Sequence, residues 1–175
     1  MRHKMQHITN LLKTWFEFPK NKIFCQISTI NNDRPHIRTM DLYNVTEKGD
    51  LVFLTNTRSK KWSDLQNCPN SAACIVQLEH GQIIAEGKAV LKTSENDFNT
   101  TDHYWSNFLG QYWQEFYLSL TESIAHHIPD SFGVIIITPQ KWEVLEINQN
   151  DFLKSTRKQF LLEQSGWVTH DLSAE

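Results

Sequence analysis

Leu51-Val52-Phe53-Leu54-Thr55-Asn56-Thr57-Arg58-Ser59-Lys60-Lys61 is the stretch on which the reading of this chain turns. Its first five residues have the length and composition of a buried strand. The residues that follow bring hydroxyls, an amide and three cations to the point where the chain leaves that strand and opens a helix, predicted from Lys60 to Gln66 and ending before Pro69. Unpaired N–H groups and the helix dipole favour an anion at such a point, and a phosphate is the natural guest. Lys60, Lys61 and the Ser59 hydroxyl would add charge-assisted hydrogen bonds, with Arg58 directed elsewhere. The same residues also read as a solvated basic turn, because exposed Lys/Arg pairs are common.

Upstream, Ile8, Leu11, Leu12, Trp15 and Phe16 recur at helical spacing and predict a short amphipathic helix that stops by Pro19. Ile23 to Ile30 and Arg34 to Tyr43 read as extended segments around the turn residues Asn31-Asn32-Asp33, hence a hairpin. Glu47-Lys48-Gly49-Asp50 turns the chain into the strand at Leu51. Downstream, Ala72 to Val76 and Gln82 to Leu91 flank a turn at Glu79-His80-Gly81 and predict a second hairpin. Between Asp97 and His127 the period becomes helical, with Trp105, Phe108, Tyr112 and Phe116 near one stripe and a break near Gly110. Strands are predicted again at Phe132 to Thr138 and Trp142 to Ile147, separated by a turn at Pro139-Gln140, and then around Arg157 to Leu162 and Trp167 to Leu172. Many short strands with turns between them, and helices at the start, in the middle and after one strand, predict a mainly β, α+β chain: an antiparallel barrel that covers its own edges.

At 175 residues, without a linker-like stretch, one domain spanning 1–175 is expected. A net charge of −3 argues against a surface built to neutralise a nucleic acid backbone. No apolar run is long enough to span a bilayer. Cys25, Cys68 and Cys74 are odd in number and lack zinc-ligand spacing, and the N-terminus lacks a signal-peptide pattern, so a cytoplasmic setting is expected.

Two further residues bear on the basic turn. Arg38 stands amid the strand-like Ile37 to Leu42, where it must either project to solvent or find a buried anion. Gln82 opens a strand, where its carboxamide suits the edge of a heterocycle or simply faces solvent. Taken in order, Phe24 to Thr29, Arg34-Pro35-His36-Ile37-Arg38-Thr39-Met40, Gly49 to Asn56, Ser59-Lys60-Lys61, Asn67-Cys68-Pro69 and Gln82 to Ala89 resemble the FMN-binding split β-barrel of pyridoxamine 5'-phosphate oxidases and their relatives. The resemblance continues more weakly through Pro129 to Gly133, Pro139 to Leu145, and Arg157 to Trp167.

That resemblance implies FMN as cofactor, with its phosphate held by Arg38, Lys60 and Lys61, assisted by Ser59. It sets Thr39, Met40, Leu54, Thr55 and Gln82 against the flavin ring, and implies that Arg157 approaches the flavin from the partner subunit of a homodimer. Three positions depart from the family pattern. Tyr43 replaces a second basic residue, Leu145 replaces a Trp common near the flavin, and Lys154-Ser155-Thr156 stands where true oxidases carry an Arg-x-His element for the vitamin B6 phosphate. The expected function is therefore an FMN-dependent oxidoreductase exchanging hydride at flavin N5, with weak or absent turnover of pyridoxamine 5'-phosphate. The alternative is a non-catalytic flavin- or haem-binding module on the same fold.

Trp105, Phe108, Tyr112, Trp113, Phe116 and Tyr117 could roof a flat cofactor or substrate, but aromatic residues at helical spacing usually pack, and they are expected to be packing residues rather than site residues. His103, His126 and His127 lack metal-ligand spacing, and Cys25 and Cys74 read as small buried hydrophobes.

Overall fold

The structure, a computed structural model, describes residues 2–125 and 127–173. Helix α1 (Arg2–Phe16) leads into the hairpin β1 (Ile23–Asn31) and β2 (Arg34–Leu42). Asn32 and Asp33 both take positive φ, 49° and 59°, the backbone that a tight hairpin turn requires of its two central residues. After the short β3 (Asn44–Val45) come β4 (Leu51–Asn56) and α2 (Lys60–Asn67). A second hairpin, β5 (Asn70–Gln77) and β6 (Gly81–Lys92), precedes α3 (Phe98–Phe108) and α4 (Gln111–Ser119). The two-residue strands β7 (Ile124–Ala125) and β8 (Ile128–Pro129) lead into the long β9 (Phe132–Glu146), and β10 (Thr156–Glu163) with β11 (Gly166–Leu172) closes the order.

All pairing is antiparallel, in the order β11-β10-β9-β6-β5-β1-β2, with β4 added to β9 and β3 to β4. Strand β9 serves two partners along one edge: residues 132–137 pair with β4, and residues 141–146 pair with β10. The result is the expected α+β split barrel. Its interior holds Ile27, Leu51, Phe53, Ile75, Ile83, Ile135 and Trp142, and Ile8, Leu11 and Leu12 of α1 pack into the same cluster. A second cluster joins Val52 and Leu54 to Tyr104, Trp105, Tyr117 and Phe132 beneath the helices. Strand β4 therefore has apolar cover on both faces, which is why it reads as an unbroken apolar run rather than an alternating one.

Two expectations are corrected. The turn at Pro139-Gln140 does not form, and β9 runs straight through it. Opposite lies a register shift between Glu86 and Gly87 of β6, where Gly87 approaches so closely that a Cβ would stand 2.1 Å from the Thr138 carbonyl oxygen. The bulge sets Pro139 and Gln140 of β9 against Gly87 alone and leaves Gln140 without a register partner, so a proline with no N–H is tolerated beside it. The helical insertion is also shorter than expected. It ends with α4 at Ser119, and the helices separate at Leu109-Gly110, which splits the aromatic stripe. Trp105 packs on Phe132 and Tyr117, with ring centroids 5.1 and 6.4 Å away, whereas Tyr112, Trp113 and Phe116 stand exposed beyond the break.

Candidate cofactor-binding cleft

Strands β2 and β4 run beside each other, yet among the described residues β2 pairs only with β1, and β4 pairs only with β3 and β9. Just past β2, Tyr43 N–H donates to the Val52 carbonyl at 3.0 Å and ties the two at one end. Beyond it the barrel is split. Both strands turn unpaired N–H and C=O groups toward the gap, the kind of edge that hydrogen-bonds an incoming partner. A cavity of about 350 Å³ occupies the gap. Thr39, Met40 and Asp41 line it from β2, Leu54, Thr55 and Asn56 from β4, Lys61 from α2, and Trp113, Phe116 and Tyr117 from α4. Phe24 and Tyr43 complete its lining.

The cationic end is built by the β4–α2 turn. Lys61 Nζ donates to Thr55 Oγ1 at 3.0 Å, and the Ser59 hydroxyl lies 3.5 Å from that same oxygen. Ser59 is the N-cap of α2 but makes no side-chain capping bond, so its hydroxyl stays available at the helix N-terminus. Arg58 points elsewhere, as expected: its guanidinium binds the Leu120 carbonyl and, at 3.2 Å, the Asp130 carboxylate. Lys60 is exposed and is not part of the cleft lining. Burial, and then the Arg38 charge, hold the Lys61 ammonium pKa below its ordinary value, which places both cations near one volume.

Arg38 is not the exposed strand residue of the simpler reading, and the anion it finds belongs to the protein. Its Nη1 donates to Thr29 Oγ1 at 2.7 Å, and its Nη2 lies 3.4 Å from Asp64 Oδ2. Asp64 is completely buried and also accepts from Thr29 Oγ1 and Asn31 Nδ2, each at 2.8 Å. Burial alone would raise its pKa. The bonds from Thr29 and Asn31, with the charges of Arg38 and His36, outweigh that and hold the carboxyl below the usual carboxylate range. Arg38 and Lys61 against the Asp64 carboxylate leave this end net positive, while Asp41 on the cleft wall pairs with Lys22 at 3.4 Å.

The structure thus gathers Thr39, Met40, Leu54, Thr55, Ser59 and Lys61 at one cleft with Arg38 beside them, while Lys60 is exposed outside the lining. Gln82 and Arg157 lie apart from it. Each pairs with Leu145, so they flank that residue in one row across β6, β9 and β10, on the sheet face turned away from the core. Arg157 is occupied there by Glu143, whose Oε1 accepts from Nε at 2.9 Å and Nη2 at 2.7 Å. A larger open cavity of about 460 Å³ is lined by Ser71, Glu86, Gln140 and Lys141, but its cation is neutralised by Glu86 at 2.7 Å. The 350 Å³ cleft is the better anion site because Lys61 meets only a hydroxyl there.

The sequence placed the aromatic wall second to simple packing and gave no notice of the carboxylate. Trp113, Phe116 and Tyr117 have helical spacing, which a packing face and a cavity wall share. Asp64 follows Lys61 by three residues and so shares its side of the helix, the one signal that linked them. The histidine and cysteine expectations concern ordinary residues: His103 rests edge-on against Tyr104 and Phe108, and His127 bonds Asp102 at 2.7 Å. His126 lies outside the described residues. Burial pushes the Cys25 and Cys74 thiols up, away from thiolate reactivity. No group able to hold a metal occurs among the described residues, and none of their helices is long and apolar enough to cross a membrane.

The cleft suits a flat ligand that carries a phosphate: cations and hydroxyls at one end, free strand edges along the sides, aromatic rings above. The family model described as pyridoxamine 5'-phosphate oxidase matches residues 11–146. No curated protein sequence matches the chain. Among solved structures, a pyridoxamine 5'-phosphate oxidase-related, FMN-binding protein from Nostoc punctiforme superposes with a TM-score of 0.79 at 16% identity, over 99% of this chain and 98% of its own. PhzG from Burkholderia lata, solved with tetrahydrophenazine-1-carboxylic acid, gives 0.74 at 15% identity over 99% and 93%. General Stress Protein 26 from Bacillus anthracis gives 0.57 at 20% identity over 80% and 92%.

Proposed function

The chain belongs to the pyridoxamine 5'-phosphate oxidase family, and on that footing we propose that it binds FMN in the cleft between β2 and β4 and acts as a flavin-dependent oxidoreductase. The observation that carries this reading is Lys61, a partly buried ammonium directed at the Thr55 hydroxyl in a cleft bordered by two unpaired strand edges. Arg38, Ser59, Lys60 and Lys61 take the phosphate. The backbone edges at Thr39-Met40 and Leu54-Thr55 take the polar rim of the ring, and Trp113 and Phe116 cover it and exclude water.

Bound FMN supplies hydride exchange at its N5. The chain's own residues bind and orient. Burial raises the Tyr43 and Tyr117 hydroxyl pKa values, so both stay protonated near neutral pH and serve as donors rather than bases. Where true oxidases carry Arg-x-His, Lys154 pairs with Asp151 at 3.2 Å and the Ser155 hydroxyl accepts from Asn148 N–H at 3.0 Å. Turnover of pyridoxamine 5'-phosphate is therefore expected to be weak or absent, and the substrate is a different one. Gln82 and Arg157 reach a flavin from the second copy of a homodimer. Their position away from the cleft supports this, as do Phe24, Ile37 and Val76, large apolar side chains left exposed on the same outer sheet face.

Visible absorption of the purified protein, with and without added FMN, tests the reading. A bound flavin spectrum that bleaches with a reductant such as NADPH is expected. A colourless protein that does not take up FMN overturns it, and stable flavin that no donor reduces leaves binding without turnover.

A further inference from the structure

Asp64 is the carboxylate that contacts Arg38 at the cationic end of the cleft, and nothing in the proposed chemistry uses it. We propose that Asp64 is a positioning residue: it holds Arg38 in place through Thr29 and so sets the preference of the cleft for a flavin bearing a phosphomonoester over the uncharged flavin nucleoside. This inference rests on the FMN reading above.

Three observations carry it. Asp64 has no exposed surface and is anchored independently of Arg38, by Thr29 Oγ1 and Asn31 Nδ2, each at 2.8 Å. A carboxylate fixed in this way can hold a mobile partner, because its own geometry does not depend on that partner. Next, Asp64 stands on α2, which also carries Lys61, so one rigid helix sets the places of both cations. Last, the grip on Arg38 is partial. Its Nη1 donates to Thr29 Oγ1 at 2.7 Å and its Nη2 stands 3.4 Å from Asp64, which leaves further guanidinium N–H groups for a ligand. Arg157 shows the contrast: it places two donors on Glu143 Oε1 at 2.9 and 2.7 Å. Arg38 is held where Arg157 is consumed.

The sign of the effect separates positioning from bulk electrostatics. A negative charge beside an anion site repels the anion, so removing it should tighten phosphate binding if charge alone mattered. If Asp64 works through Arg38, removing the charge frees a long side chain with much rotamer entropy, and phosphate binding weakens.

The experiment measures FMN and riboflavin affinities by flavin fluorescence for the full chain, for Asp64→Asn, Thr29→Val and Arg38→Ala, and for Arg38→Ala combined with Asp64→Asn. We expect Asp64→Asn to weaken FMN roughly tenfold with riboflavin unchanged. Thr29→Val should act in the same direction, and Asp64→Asn should have no further effect once Arg38 is gone. Tighter FMN binding, an equal loss of both ligands, or a full effect in the Arg38→Ala background overturns the inference. If Asp64→Asn does not fold, Thr29→Val decides, and an unchanged FMN preference in it is the overturning result. A wild-type protein that does not prefer FMN to riboflavin overturns the FMN reading and this inference together, whereas wild-type preference with unaltered variants overturns this inference alone.

Discussion

Lys61 Nζ donates a 3.0 Å hydrogen bond to Thr55 Oγ1, joining the first turn of α2 to the strand before it. The bond holds the ammonium over the cleft instead of letting it extend into solvent, as the neighbouring Lys60 does. Two lysines adjacent in sequence thus have different surroundings, and their effects on a bound phosphate should differ.

Lys61→Ala is expected to weaken FMN about tenfold or more while leaving riboflavin nearly unchanged, since only FMN carries the phosphate. Lys60→Ala should cost less, with a loss that fades in high salt, as for an exposed charge. Parallel titrations of both flavins check this. Equal losses of FMN and riboflavin in Lys61→Ala would remove Lys61 from the phosphate site.

Affinity for FMN should also depend on pH. Burial and the Arg38 charge depress the Lys61 pKa below the ordinary 10.5. The protonated form is the phosphate-binding form, so affinity holds from above the second phosphate pKa of about 6 up to the depressed lysine pKa and falls as pH rises through the latter, before reaching 10.5. Lys61→Arg keeps its charge throughout and should shift the decline to higher pH. A decline at the same pH in both proteins rejects the assignment.

Trp113 and Phe116 wall the cleft but lie on α4, away from the cationic turn. Trp113→Leu is expected to weaken FMN and riboflavin alike, roughly threefold to tenfold, because a ring contact does not depend on the phosphate. Flavin binding should quench tryptophan emission less in this variant than in the wild type. Undiminished quenching would place Trp113 away from the flavin.

Asp130 accepts from Thr121 Oγ1 at 2.6 Å and from Glu122 N–H at 3.2 Å, and it pairs with Arg58; together these hold its carboxyl pKa at about 2, below the ordinary 3.8. A depressed carboxyl pKa stabilises the fold above the unfolded value and ceases to do so as pH falls from 3.8 toward 2. Thermal melts of wild type and Asp130→Asn should therefore differ at neutral pH and converge across that acid window. A constant gap would rule out the charged Asp130 as its source.

Gly133 sits against the ring of Trp62, where a Cβ would stand 2.4 Å from Cζ3. Gly133→Ala is expected to destabilise the protein by about 1–3 kcal/mol through overpacking. Because Trp62 adjoins Lys61 on α2, FMN affinity should fall as well. A denaturation curve superposable on the wild type would show that the ring moves aside without cost.

The pattern of local elements was largely legible beforehand, for reasons visible at particular residues. The turn chemistry of Asn31-Asn32-Asp33, the β-branched content of Ile23 to Ile30 and the helical spacing of Ile8, Leu11 and Leu12 all act within a few residues of chain, although Asn31 itself closes β1. The Pro139 turn failed because the bulge beside the proline forms only against Gly87 of another strand, whose missing Cβ admits the close approach. The aromatic wall came second to packing because Trp113, Phe116 and Tyr117 follow one spacing whether they face a core or a cavity.

By itself, then, the sequence determined the strand-to-helix basic turn at Thr55–Lys61, the order of strands and helices, and a resemblance strong enough to name a phosphate-bearing flavin as the expected guest. Only the tertiary structure decided that β2 and β4 stand side by side without pairing, that Arg38 meets Asp64 from 26 residues away, and that Gln82 and Arg157 stand apart from the cleft. The physical reason is range. Turn chemistry and amphipathic period act between near neighbours in the chain, whereas which strands pair, and which charges become buried together, is settled by the packing of the whole sheet around one core.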